Sequence, residues 1–365
     1  MILNAQQLGE NVLTHGRTLL ADGALWFNWS CSGFTLRFRG SSLKAVFRVI
    51  PDRAFAVFGP QEAFDHPCIA VLADGGSEPL FRRKLEAGGE YTLFEGGEGE
   101  HTVRVVRLSE NNKGKAGIVS LSADGELLPP PEAPGGPHIE VAGDSITCGY
   151  GNETSQPGFD TQYENALKTY GWLAAKELGA EYSCVAVSGC SVAAPTWLPG
   201  IDDFHAMETL YEYTDKPLES ALGAASLTPW DFKAHPVDAV VMNLGTNDAN
   251  EVKMNGFSRE SVDSFHRHYG AMVEQLRRLN GSEAWIVCTL GPMDYYLWDD
   301  IRDVVEEYKA RTGDGRVICR KLGGIVSFTE GSGADTHPSA ATHERMGREL
   351  AAMLRECFEK GGTKK

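Results

Sequence analysis

Five prolines fall within the eleven residues Leu127-Leu128-Pro129-Pro130-Pro131-Glu132-Ala133-Pro134-Gly135-Gly136-Pro137. Proline lacks a backbone donor and fixes φ, so this run fits neither a helix interior nor a central strand and favours a stiff, extended connection. The hydrophobic pattern differs on its two sides. The chain therefore divides into residues 1–128, a linker at 129–137, and residues 138–365.

Before the linker the period is two. Phe34, Leu36 and Phe38 alternate with Thr35, Arg37 and Arg39, as a half-buried strand requires. Residues 43–49 continue the theme after an expected turn at Gly40-Ser41-Ser42. Further short strands are expected at 55–58, 69–73, 90–94 and 101–108, the last two separated by a Gly-rich turn at 95–100. Many short strands at this spacing predict a β-sandwich of jelly-roll type. No cluster of catalytic type stands out in this half.

After the linker, strands and helices alternate. Strands are predicted at 138–142, 182–187, 239–244, 284–290 and 316–321, and helices at 161–178, 259–279, 298–311 and 339–358. In the last helix Met346, Leu350, Met353, Leu354 and Cys357 share one face. Nearly continuous apolar strands such as Ala239-Val240-Val241-Met242-Asn243-Leu244 indicate a parallel sheet covered on both faces, hence a three-layer α/β/α domain.

The formal charge of −16 argues against nucleic acid and anionic membrane as partners, since both would be repelled. No run of about 18 apolar residues predicts a membrane span. The N-terminus, Met1-Ile2-Leu3-Asn4-Ala5-Gln6-Gln7, lacks the basic and apolar regions of a secretory signal, so a cytoplasmic location is expected. Eight cysteines without a CxxC spacing are expected to be free buried thiols, with neither a disulfide framework nor a metal site. A homo-oligomer stays open.

In an α/β sheet, ligands bind beyond the carboxyl ends of the strands. The strand at 138–142 breaks at Gly143 into a turn presenting Asp144 and Ser145, which marks Ser145 as a hydrolase nucleophile. Such a serine needs a base, a group orienting that base, and donors for the developing oxyanion. Among ten histidines, His337 has a distinctive setting, in Asp335-Thr336-His337-Pro338 between the last strand and the last helix. Asp335, two residues earlier, is placed to orient the imidazole, although a plain turn with Asp335 as a helix cap fits the same residues. A backbone carbonyl could share that orienting role. Asp144 is expected to fix the turn.

Two further strand exits supply candidate oxyanion donors. In Asn243-Leu244-Gly245-Thr246-Asn247-Asp248 the Asn247 amide can aim into the cleft, and in Val187-Ser188-Gly189-Cys190-Ser191 Gly189 offers an unshielded N–H beside that of Ser145. A rival places the nucleophile at Ser191 in a G-x-S-x-G elbow, but Ala193 stands where the last glycine is needed. Tyr150, Trp172, Trp197, Trp230, Tyr295, Tyr296 and Trp298 are aromatic residues that could stack on sugar rings.

The four blocks Gly143-Asp144-Ser145, Gly189, Gly245-Thr246-Asn247-Asp248 and Asp335-Thr336-His337-Pro338 resemble, in this order, those of the SGNH (GDSL-type) hydrolases. A narrower resemblance is to carbohydrate esterase family 2, deacetylases built from a jelly-roll sandwich and an SGNH domain. It rests on Gly33-Phe34, Asp124-Gly125, Leu128-Pro129-Pro130-Pro131, the run Gly143 to Gly151, and the acid two residues before His337. Thr336 stands where members of that family often carry a tryptophan of the substrate site.

The resemblance implies a serine esterase removing O-acetyl groups from plant-polysaccharide oligosaccharides, acetylated xylo- or manno-oligosaccharides, with no cofactor or metal. It assigns catalysis to Ser145, Asp335 and His337 and the oxyanion hole to Ser145, Gly189 and Asn247. Tyr150, Trp230 and Thr336 are candidates for substrate binding. Two other readings are an SGNH esterase, lipase or thioesterase on other small acyl esters, and a carbohydrate-binding protein whose α/β half is inactive.

Overall fold

The computed structural model describes residues 1–53, 64–195 and 205–361; the strand expected at 55–58 and Trp197 lie outside them. Among the described residues the N-terminal domain is built on a ten-stranded antiparallel sheet, curled so that its inner face closes on itself, with a separate two-stranded pairing of Asp52–Arg53 and Phe64–Asp65 and a short helix at Ala5–Asn11. Its main strands are β1 (Gly33–Ile50), β2 (Gly89–Arg107) and β3 (Lys115–Ala123). The core between the folded halves holds Phe27, Phe34, Phe38 and Phe47, with Phe27 edge-on to Phe34 at 5.9 Å.

The expected turn at Gly40-Ser41-Ser42 is not a turn. β1 continues unbroken through it, and β2 likewise continues through 95–100. The two segments face each other: Glu95 pairs with Ser42 and Gly99 with Gly40, so the intervening residues form a bulge. A bulge bends and twists a strand without ending it. Asp124 covers the corner by accepting from the backbone N–H of Ser41 and Ser42 at 3.0 and 3.1 Å. Glycine and serine here mark a bend between the two halves of the curled sheet.

The second domain holds strands β4 (His138–Gly143), β5 (Glu181–Ala186), β6 (Ala239–Asn243), β7 (Trp285–Leu290) and β8 (Val317–Lys321). All pair in parallel, in the order β5-β4-β6-β7-β8. This is a 2-1-3-4-5 doubly wound sheet, whose connections reverse direction between β4 and β6 and open a crevice there. Helices α1 (Ser145–Cys148), α2 (Tyr170–Leu178), α3 (Thr246–Met254), α4 (Arg259–Asn280), α5 (Trp298–Thr312) and α6 (Ala340–Gly361) surround it. Tyr170, Met346, Leu350 and Leu354 bury one face of the sheet; Phe265, Tyr269, Ile301 and Val305 bury the other. The helix expected at 161–178 begins as two single 3₁₀ turns and becomes α-helical only at Tyr170. None of the described helices is long and apolar enough to cross a membrane.

The two domains share a continuous core. Trp29 packs among the residues of the second domain and donates from Nε1 to the Thr214 carbonyl at 2.8 Å. Asn28 and Asn111 both donate to the buried Asp215 carboxylate, at 2.7 and 2.9 Å. Arg17, wholly buried, pairs with Glu140 of β4 at 2.9 Å and donates to the carbonyls of Tyr211 and Tyr213. Burial alone would push the Glu140 carboxyl up, but Arg17 beside it reverses the effect and holds it below the usual carboxylate range.

Candidate active site

Four loops leave the carboxyl ends of β4, β5, β6 and β8 and meet at the crevice. β4 ends at Gly143, where a Cβ would lie 2.0 Å from Thr147 Oγ1 and 2.7 Å from its Cβ; only glycine lets the chain turn so sharply into α1. Asp144 caps that turn, its Oδ1 accepting from the Ile146 N–H at 2.9 Å. Asp144 thus fixes the turn, as expected. Ser145 is the first residue of α1, so its N–H has no intrahelical partner and points out of the helix start.

The His337 loop docks against the residues that follow. The Ala334 N–H donates to the Gly151 carbonyl at 3.1 Å, and the Ala340 N–H to the Asn152 carbonyl at 2.9 Å. Gly151 has φ +52, and a Cβ on it would come within 2.4 Å of the Ala334 Cβ, so the close approach of the two loops requires glycine. The result is a hydrogen bond of 2.8 Å between Ser145 Oγ and His337 Nε2.

The second imidazole nitrogen shows where the structure departs from the sequence expectation. His337 Nδ1 lies 3.1 Å from the carbonyl oxygen of Ala334. The Asp335 carboxylate instead accepts the Tyr150 hydroxyl at 3.0 Å. Asp335 and Thr336 both adopt left-handed backbone conformations, with φ of 48° and 64°. That geometry leaves both side chains exposed and presents the Ala334 carbonyl to the ring. Strained non-glycine backbone of this kind concentrates where a site is over-determined by its surroundings.

A carbonyl can only accept, so Nδ1 carries a proton. In a neutral ring Nε2 is then the lone pair facing the Ser145 hydroxyl. Burial favours that neutral form by lowering the His337 pKa below its ordinary value, against smaller opposing contributions from Ala334 and Asp335.

Asn247 opens α3 on the far side of the crevice. Its amide nitrogen stands 2.9 Å from the Cys190 carbonyl and 3.3 Å from Asp144 Oδ2, bridging the β4 and β5 loops. The shorter contact takes one N–H firmly; the longer lies beyond the usual range for a good N–H···O bond. Gly189 sits in a left-handed turn with φ +82. Asp144 and the adjacent Asp248 are buried, and burial pushes each pKa up to about 7. Asp248 accepts from the Val192 N–H at 3.0 Å, which ties α3 to the same β5 loop.

Tyr150 is at the site: its ring lies 4.5 Å from that of His337. Trp230 is not brought to it. That residue lies in the segment leading into the start of β6, at the opposite end of the sheet from Ser145, where it stacks on His235 and lies 5.2 Å from the Arg17 guanidinium. Among the other aromatic candidates, Trp172 packs edge-on to Tyr182 at the domain seam. Among the described residues no group of His, Cys, Asp or Glu is placed to hold a metal ion.

The N-terminal domain, expected to hold no catalytic cluster, reaches the site through residues 109–114, between β2 and β3. Glu110 bonds Ser188, and the Lys113 ammonium lies 5.8 Å from the centre of the Tyr150 ring. The polar run Ser109-Glu110-Asn111-Asn112-Lys113 after an alternating strand is the signal that could have marked this loop.

A 2-1-3-4-5 sheet with a Ser–His pair at its switch point, flanked by a glycine turn and an asparagine, defines an SGNH-type hydrolase domain. The chain belongs to the GDSL-like lipase/acylhydrolase family, whose model matches residues 141–345. Residues 14–131 match the family described as carbohydrate esterase 2 N-terminal, and the two together place the chain in carbohydrate esterase family 2.

Relatives agree. Cellulase/esterase CelE of Acetivibrio thermocellus is 28% identical over 344 residues, covering 90% of this chain. The match spans only 37% of that larger relative. An acetylxylan esterase/glucomannan deacetylase of Cellvibrio japonicus is 29% identical over 72% of this chain and 68% of its own length. A family two carbohydrate esterase from Clostridium thermocellum, solved with cellohexaose, superposes with a TM-score of 0.79 at 26% identity, covering 95% of this chain and 99% of its own. The acetyl xylan esterase Est2A from Butyrivibrio proteoclasticus shares the fold at a TM-score of 0.81 over 98% of each chain, at 23% identity.

Proposed function

We propose that the protein is a serine esterase that removes O-acetyl groups from oligosaccharides derived from plant polysaccharides. The observation that carries this reading is the 2.8 Å contact between Ser145 Oγ and a His337 Nε2 whose tautomer is set by the Ala334 carbonyl. The named activities of the Cellvibrio relative support acetylated xylo- and manno-oligosaccharides as the substrate class.

Ser145 Oγ attacks the acetyl carbonyl carbon while its proton passes to His337 Nε2. The oxyanion accepts from the N–H groups of Ser145 and Gly189 and from the second N–H of Asn247, which turns away from its long contact with Asp144. The ester bond to the sugar breaks, and His337 returns the proton to the departing hydroxyl. Water, deprotonated by His337, then releases acetate and restores Ser145. A cytoplasmic location belongs to the same proposal; the eight free thiols, seven of them buried, support it, and cell fractionation tests it.

The test is acetate release from defined acetylated xylo- and manno-oligosaccharides, followed by NMR, for the wild type and Ser145→Ala. The wild type should release acetate and the folded alanine variant should lose at least about 10⁴-fold in kcat. Retained activity in that variant removes Ser145 from the mechanism.

A further inference from the structure

Glu110 belongs to the N-terminal domain, is wholly buried, and points its carboxylate at the β5 loop of the other domain. Oε2 accepts from the Ser188 backbone N–H and Oε1 from the Ser188 hydroxyl, each at 2.6 Å. Ser188 is the residue before Gly189, and the peptide joining them carries the Gly189 N–H. Two bonds to one residue, one to its backbone and one to its side chain, fix how that residue is turned. A glycine on the far side of a peptide offers little resistance to a flip, so the restraint must come from Ser188.

Glu110 is itself held rigidly. Its N–H donates to Glu164 Oε1 at 2.6 Å, and its carbonyl accepts from the buried Arg107 guanidinium at 2.7 Å. The same guanidinium binds the carbonyls of Ser109 and Gly114, so the whole loop is wound around it. A carboxylate this close to a developing oxyanion would oppose it unless balanced. The Arg107 guanidinium at the centre of the loop and the Lys113 ammonium, which also pairs with Asp65 at 2.8 Å, supply positive charge beside it, and burial together with Glu110 pushes the Glu164 carboxyl well above the usual range, towards its neutral form.

We infer that Glu110 is a positioning residue for the oxyanion hole: through Ser188 it holds the Gly189 N–H aimed at the reacting carbonyl, so the N-terminal domain completes the catalytic centre. This rests on the serine-esterase reading above.

The test uses the full chain, with 4-nitrophenyl acetate as the probe. Glu110→Ala should lower kcat by about 10²-fold, the size of effect seen when one oxyanion donor is lost. KM should change less than about threefold, because ground-state binding does not use the hole. Glu110→Gln, which can accept from the Ser188 N–H and pair with its hydroxyl, should recover kcat to within about tenfold of the wild type. Ser188→Ala leaves the buried carboxylate in place and should lower kcat about tenfold, which keeps the inference testable if Glu110→Ala does not fold. A folded Glu110→Ala, or Ser188→Ala, with wild-type kcat overturns the positioning role. A wild type that releases no nitrophenol overturns the esterase reading instead.

Discussion

His337 donates from Nδ1 to the carbonyl oxygen of Ala334, three residues earlier in the same loop, at 3.1 Å. The group that orients the base is therefore part of the backbone. It cannot be removed by substitution and carries no charge of its own.

It follows that Asp335→Asn should be mild. In a triad whose aspartate orients the histidine, the same change costs about 10⁴ in kcat by imposing the wrong tautomer. Here the expected loss is less than about tenfold, because the tautomer is set at Ala334. Tyr150→Phe, which removes the other end of the Asp335 contact, should fall in the same range, whereas His337→Ala should lose at least about 10³-fold. A large loss from Asp335→Asn, measured as kcat on an acetylated oligosaccharide, would contradict this arrangement.

The acid limb of the pH profile reports the same histidine. The base must be neutral to act, and burial lowers the His337 pKa below 6.5. The midpoint of kcat/KM against pH should therefore lie below 6.5. The Asp335 charge raises the His337 pKa, so Asp335→Asn should move that midpoint further down. A midpoint above 6.5 in the wild type counts against a buried, backbone-held imidazole.

The Arg17–Glu140 pair makes a prediction about stability. Arg17→Met leaves the Glu140 carboxylate buried without its partner, and breaking such a pair costs about 3–5 kcal/mol. Adding Glu140→Gln removes the stranded charge and should recover part of the loss. Urea unfolding measures both. A loss below about 1 kcal/mol in the single variant would mean that water reaches Glu140.

Asp248 links stability to pH. Its pKa is about 7 in the folded protein against 3.8 for an ordinary aspartate. Below pH 3.8 both states hold the proton. As pH rises towards 7 the unfolded chain ionises first, so stability is lost across that interval, at about 1.4 kcal/mol per pH unit for one such group. Asp248→Asn keeps an acceptor for the Val192 N–H and has no proton to lose. The difference in unfolding free energy between the variant and the wild type should grow in the variant's favour from pH 4 to pH 7 and flatten above pH 8. A difference independent of pH would mean that Asp248 titrates normally. Asp144 adds a dependence of the same sign, and His15 and His343, each lowered by burial to about 3, add one of the opposite sign; the variant-minus-wild-type difference cancels the two histidines and leaves Asp248 together with its effect on Asp144, whose pKa the Asp248 charge helps to raise.

The residues that sit at strand ends were legible in the sequence. Ser145, Gly189 and Asn247 each follow an apolar run, and the doubly wound topology brings such ends together; His337, sixteen residues past the last strand, stood out by its Asp335-Thr336-His337-Pro338 setting ahead of the last helix. The Ala334 carbonyl could not be found this way, since every residue has a carbonyl and only the backbone dihedrals on either side of the peptide decide where it points. α3 was missed because nine largely polar residues beginning Thr246-Asn247-Asp248 show little helical periodicity. Glu110 escaped notice because its partner lies 78 residues away across the domain seam. Trp230 was misplaced because its sequence neighbourhood does not reveal which end of the sheet a loop occupies.

The seam also bears on how the chain is made. Synthesis runs from the N-terminus, and β3 is complete before any strand of the parallel sheet has emerged. At that moment Arg17, Trp29 and Glu110 stand in loops on the face of the first domain that the second will cover, and every polar partner just described for their side chains is still untranslated. A nascent chain halted at the proline-rich linker thus displays an indole and two charges with nothing to cover them. The second half must be built onto that face, and the interval before it arrives is when the polypeptide is most open to chaperones and to aggregation.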